Sequence, residues 1–155
     1  MNQRQNPGNQ GKRVVGYLRT AGDGTTPDAS LPQQREQITR WCREHGHHLQ
    51  QFYVEQCSGN TSIEARPEFM SLLEHAGAGR FDAVAVTSMD RWARDLAVLE
   101  QIRGRLHEAG AGLITVRENL DLDSPSGRLL FTMAIAVEQF TQDAFRSRRF
   151  RHAQS

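Results

Sequence analysis

The order of apolar and polar segments predicts an α/β domain in three layers, a mainly parallel sheet of four or five strands between helices, with a long helix at the C-terminal end. Three observations carry this prediction. Apolar runs at residues 14–18, 81–86 and 113–116 are of strand length and dominated by aliphatic residues, as strands buried on both faces are. Segments lying between the strands carry apolar residues at helical spacing. Strands and helices alternate along the chain, an order that forces crossover connections and therefore parallel pairing.

Residues 1–12 (MNQRQNPGNQGK) are rich in Asn, Gln and Gly without periodicity, which predicts a disordered polar tail before a domain over residues 13–145. Val14, Val15, Tyr17 and Leu18 make the first strand, and residues 20–29 a loop. Ser30 can cap a helix with Pro32 in its first turn; Leu31, Gln34, Ile38, Trp41 and Cys42 mark its course, and Gly46 ends it. Residues 49–55 alternate roughly, as a second strand, and a polar loop covers residues 56–66. Pro67 starts a short helix carrying Phe69, Met70, Leu72 and Leu73. Residues 81–86 are the third strand. Leu96, Leu99, Ile102 and Leu106 place residues 92–109 on one long amphipathic helix, and residues 113–116 form the fourth strand. After a loop at 117–126, a last helix starts at Gly127. Its stripe of Leu129, Leu130, Met133, Ala136, Val137 and Phe140 is expected to be core.

The 155 residues suit one domain, and 37% hydrophobic residues suffice for its core. A net charge of +1 does not by itself announce nucleic acid. The basic residues do more: Lys12 is the only lysine among 19, and arginine's planar fork suits phosphate oxygens. The chain opens without an apolar leader, and no run approaches the ~18 apolar residues of a membrane span. A cytoplasmic protein with Cys42 and Cys57 reduced is expected. Cys42, His45, His47 and His48 cluster, but their spacing fits no common zinc site. No phosphate-binding glycine motif is present. No metal or cofactor is expected.

In open α/β sheets, chemistry gathers beyond the carboxyl ends of the strands. Strand one runs out into Tyr17-Leu18-Arg19-Thr20-Ala21, and strand three into Asp90-Arg91-Trp92-Ala93-Arg94. Both deliver arginines to one edge. The first segment resembles the aromatic-x-Arg-x-Ser signature of serine recombinases, the resolvase/invertase family, and the second resembles their Asp-Arg-x-x-Arg. Three further motifs follow the family's order: Ser30-Leu31-Pro32-Gln33-Gln34, then Ser58-Gly59 with Arg66-Pro67, then Ser124-Pro125-Ser126-Gly127-Arg128. The resemblance covers residues 13–140.

The resemblance implies a resolvase-like catalytic domain acting in site-specific DNA recombination. There a serine attacks a DNA phosphodiester, forms a phosphoserine link, and is released after strand exchange. It implies that Arg19, Arg66, Arg91 and Arg94 surround the phosphoryl group, whose spread negative charge arginines stabilise. Gln34 would position a phosphate or an arginine, and Asp90 would orient arginines. Arg91 and Arg94, three apart on one helix, would share a face.

Three departures qualify the expectation. The nucleophile position holds Ala21, and a methyl group cannot attack phosphorus. Thr20 faces the other side of the strand, and Thr25, Thr26 and Ser30 are no better placed by the sequence. In the last helix, Thr141 aligns with the family's glutamate, and Glu138 lies one turn earlier. The chain shows no base-reading module after the last helix; its basic end (Arg146, Arg148, Arg149 and Arg151) is expected to follow a phosphate backbone as a tail over residues 146–155. Three readings stay open: a DNA-phosphate-binding domain impaired in cleavage, which self-associates or pairs with an active recombinase through the last helix; an active enzyme using another hydroxyl, or one engineered from serine to alanine; and a non-DNA interaction module keeping only the fold.

Overall fold

A computed structural model describes residues 11–20, 31–92 and 95–153. The described chain divides into two units, Met1–Asp121 and Leu122–Ser155.

The first unit contains a five-stranded sheet. Its strands are β1 (Arg13–Thr20), β2 (His48–Gln56), β3 (Ala83–Val86), β4 (Gly112–Thr115) and β5 (Leu120–Asp121), in spatial order β2-β1-β3-β4-β5. The first four pair in parallel, and β5 adds an antiparallel edge. The sequence predicted the parallel strands; β5 lies inside the segment read as loop, because two residues are too few to show a period. The helices of this unit are α1 (Leu31–Glu44), α2 (Pro67–Gly77), α3 (Met89–Trp92) and α4 (Leu96–Glu108), with a 3-10 turn at Ile63–Ala65.

Every residue from Val14 to Arg19 is buried, since both faces of the sheet are covered. Val14 and Leu18 join Ile38 and Cys42 of α1 in one core cluster with Ala83, Ala85 and Ile114. Tyr17 looks the other way, toward Phe69 of α2. This is the two-residue alternation of a strand. Gly16 is required by close approach: a methyl group there would overlap the Phe52 ring, over which the Arg35 guanidinium lies at 5.0 Å.

Helix α1 ends as its sequence foretells. Gly46 has φ +71°, its N–H donates to Arg43 O at 3.3 Å, and His47 N donates to Cys42 O at 2.8 Å. This pair of bonds closes the carbonyls that a helix leaves open at its C-terminus. The expected continuous helix over residues 92–109 is not formed. Asp95 is extended (φ −100°, ψ 124°), its side chain accepts from Ala97 N at 2.8 Å, and α4 starts anew at Leu96. A good capping residue inside an apolar period gives the chain a second helix start. Lys12, assigned by sequence to the tail, donates from its main-chain N to His47 Nδ1 and from Nζ to Asp121 Oδ2, at 3.0 and 3.1 Å. Residues 1–10 lie outside the described residues.

The second unit is dominated by α5 (Pro125–Ala153), 29 residues long and so about 43 Å. It starts two residues before Gly127, with Ser124 Oγ accepting from Gly127 N at 3.0 Å. Its apolar stripe is not core. Leu129, Met133, Val137 and Phe140 are 61, 55, 63 and 75% exposed, while Phe131 is buried. Among the described residues, this unit has no second layer of its own to cover a helix of that length. The helix runs through residues 146–153, where the sequence suggested a tail. Among the described residues no helix is long and apolar enough to cross a membrane.

Candidate functional site

The strand order places the site. Reading outward from β1, the chain goes to β2 on one side and to β3 on the other, which leaves a crevice at the carboxyl ends of β1 and β3. Arg19 stands near the end of β1, and Ser88 to Arg91 follow β3. The two signature segments, far apart in sequence, therefore meet because their strands are neighbours.

Three arginines converge there, all nearly sealed from water: Arg19 is 2% exposed, Arg66 0% and Arg91 6%. Arg19 donates from Nε to Arg91 O at 3.0 Å and from Nη1 to Cys57 O at 3.1 Å. Arg91 Nη1 returns a longer bond to Arg19 O at 3.4 Å. Arg66 donates to three carbonyls: Trp92 O at 2.6 Å, Thr61 O at 3.1 Å and Gly59 O at 3.1 Å. These carbonyls satisfy N–H groups without cancelling a formal charge. Burial pushes the Arg19 guanidinium below its ordinary value, and the Arg91 and Arg66 cations push it the same way. Three guanidiniums are thereby tied to one another's segments at this edge of the sheet.

Local sequence explains the placement of Arg66. The turn at Ile63–Ala65 delivers it to the N-cap of α2, and Pro67 fixes the first helical φ. A buried carboxylate, Glu55 on β2, then accepts from Phe69 N and Glu68 N, both at 3.2 Å. It therefore satisfies open N–H groups of the first turn of α2. Tyr17 OH reaches the same carboxylate at 3.5 Å. Burial raises the Tyr17 phenol well above its ordinary range, so it stays protonated.

Of the residues singled out from sequence, Arg19, Arg66 and Arg91 are brought together, and Gln34 is buried on α1. Asp90 belongs to α3. Ala21 and Arg94 lie outside the described residues. Arg146 is exposed on α5, and Arg148, Arg149 and Arg151 lie on the same helix. Thr141 is exposed, its hydroxyl donating to Val137 O at 2.9 Å. Sequence reasoning missed Glu55 and the carbonyls of Gly59 and Cys57. A carboxylate in the buried half of a strand was the one available signal for Glu55; main-chain acceptors have none. Near Cys42, His45 and His47 stack on Trp41, with centroids 4.2 and 5.2 Å away.

Comparison with known proteins bears on the family and the fold. The family described as resolvase, N-terminal domain, matches residues 14–154. An integrase-like protein, y4lS, of Sinorhizobium fredii is 34% identical over 135 residues, covering 87% of this chain and 67% of that protein. The transposon Tn501 resolvase of Pseudomonas aeruginosa is 27% identical over 143 residues, covering 90% of this chain and 67% of the resolvase. Among solved structures, the N-terminal catalytic domain of TP901-1 integrase superposes with a TM-score of 0.72 at 23% identity, over 86% of this chain and 98% of that one. The fold and the family match over nearly the whole chain lead to one conclusion: this chain belongs to the resolvase family and carries its N-terminal, serine-recombinase domain.

Proposed function

We propose that this domain binds a DNA phosphodiester in the arginine crevice and is impaired in cleaving it. The observation that carries the reading is the convergence of Arg19, Arg66 and Arg91 at the carboxyl ends of β1 and β3, a cationic enclosure suited to a phosphoryl group. Arg94, Gln34 and Asp90 belong to the same proposed site by motif. The impairment follows from Ala21. Loss of a nucleophile costs on the order of a million-fold when the catalytic groups act as a unit. Thr20 does not replace it, because alternation along β1 puts its side chain opposite those of Arg19 and Tyr17. Self-association through α5 is supported by its exposed Leu129, Met133, Val137 and Phe140 stripe. Backbone contacts from Arg146, Arg148, Arg149 and Arg151 would add non-specific affinity.

A nicked suicide DNA substrate tests the reading. The chain as written should give no covalent protein–DNA product, while Ala21→Ser should give one. A covalent product from the unaltered chain would show that another hydroxyl attacks. DNA binding should weaken steeply with salt, and Arg91→Ala should flatten that dependence. A flat dependence in the unaltered chain would favour a module that keeps only the fold.

A further inference from the structure

The three buried arginines sit on three different elements, and each lies beside one member of an aromatic cluster. Tyr17 precedes Arg19 by two residues on β1, Phe69 follows Arg66 by three at the start of α2, and Trp92 follows Arg91 directly in α3. The rings all meet. Tyr17 and Trp92 stack with centroids 5.2 Å apart and planes 8° from parallel. Phe69 meets both edge-on, 5.8 Å from Tyr17 and 6.2 Å from Trp92. All three side chains are completely buried.

Arg91 and Trp92 lie side by side on α3, and the completely buried Trp92 ring is the anchor beside Arg91. Two main-chain carbonyls of α3 are held from outside it. Arg91 O accepts from Arg19 at 3.0 Å, and Trp92 O accepts from Arg66 at 2.6 Å. A shift of the Trp92 ring moves both acceptors and Arg91 together.

We infer that the Tyr17–Phe69–Trp92 triad sets the spacing of the arginine cluster, with Trp92 as its positioning residue. The ring fixes α3, the main chain of α3 fixes Arg19 and Arg66, and Phe69 ties the start of α2 to the same point. Stacking supplies an orientation that an aliphatic side chain of similar burial does not. That the cluster serves a phosphate rests on the function proposed above; the positioning role does not.

The experiment uses the whole chain without DNA. An arginine-selective dicarbonyl, phenylglyoxal, reports whether Arg19, Arg66 and Arg91 are sealed, read by peptide mass spectrometry. A thiol reagent reports on Cys42, which is 2% exposed in the α1 face of the core and controls for global unfolding. In the unaltered chain the three arginines and Cys42 should be protected. Trp92→Leu should raise modification of Arg66 and Arg91 by on the order of tenfold through local opening while Cys42 stays protected. Trp92→Phe, which keeps a flat ring against Tyr17, should restore protection. Phe69→Leu serves as a second, milder variant. Protected arginines in a folded Trp92→Leu chain would overturn the inference, as would exposure of Cys42 together with the arginines in both leucine variants. If the unaltered chain then shows no salt-dependent DNA binding, the phosphate reading fails and the positioning result stands.

Discussion

Arg66 donates from Nη1 to the main-chain carbonyl of Trp92 over 2.6 Å, joining the start of α2 to α3 across 26 residues of sequence. The same guanidinium holds the loop carbonyls of Gly59 and Thr61. One side chain thus fixes three segments around the crevice. Replacing it with lysine keeps the charge and loses the fork. Arg66→Lys should cost about 2–4 kcal/mol, the price of leaving buried carbonyls without donors. Urea unfolding followed by circular dichroism would measure it, and an unchanged midpoint would contradict the role assigned to the fork.

Gly16 lies in the middle of β1 with no room for a side chain, since Phe52 fills the space a Cβ would take. Gly16→Ala should destabilise the domain by about 1–3 kcal/mol through overpacking. Gly16→Ala combined with Phe52→Leu should recover part of the loss, and additivity in the double variant would argue against a direct clash.

The Asp95 cap separates α4 from α3. Asp95→Ala should lower stability by about 1 kcal/mol. Asp95→Asn, which keeps an acceptor oxygen for Ala97 N, should lower it less. Thermal melts of the two variants distinguish a lost hydrogen bond from a lost charge.

His47 predicts a pH dependence. Its Nδ1 accepts from the Lys12 main-chain N at 3.0 Å, which requires that nitrogen to be unprotonated. Burial, then the nearby Lys12 and His45, hold its pKa below the ordinary 6.5, with Asp121 pulling the other way. Between the folded and unfolded values the unfolded chain binds more protons, so stability rises with pH there. The contribution is complete above about pH 6.5 and shrinks as pH falls toward and below the folded value. Melting temperatures from pH 8 to 5 should fall less in His47→Gln than in the unaltered chain; parallel curves would refute the assignment.

Much of this was legible in the sequence. Aliphatic runs marked the parallel strands, Gly46 the end of α1, and Pro67 the start of α2, because each acts through its own backbone. Arg19, Arg66 and Arg91 could be named from spaced motifs. Other features gave no local signal. The break at Asp95 was hidden inside an unbroken apolar period, and β5 was too short to show one. The α5 stripe has the pattern of a core helix, yet pattern alone does not say whether a covering layer exists.

The sequence by itself determined the α/β order, the family motifs and the absence of a hydroxyl at position 21, since these depend on residue identity and spacing. Only the tertiary structure decided that β1 and β3 are neighbours and that the arginines donate to carbonyls of one another's segments. It also decided that Tyr17, Phe69 and Trp92 form one aromatic cluster and that Glu55 accepts from the first turn of α2. These relations depend on which distant segments share a boundary, and the energy that fixes them is burial and hydrogen bonding across the chain rather than local preference.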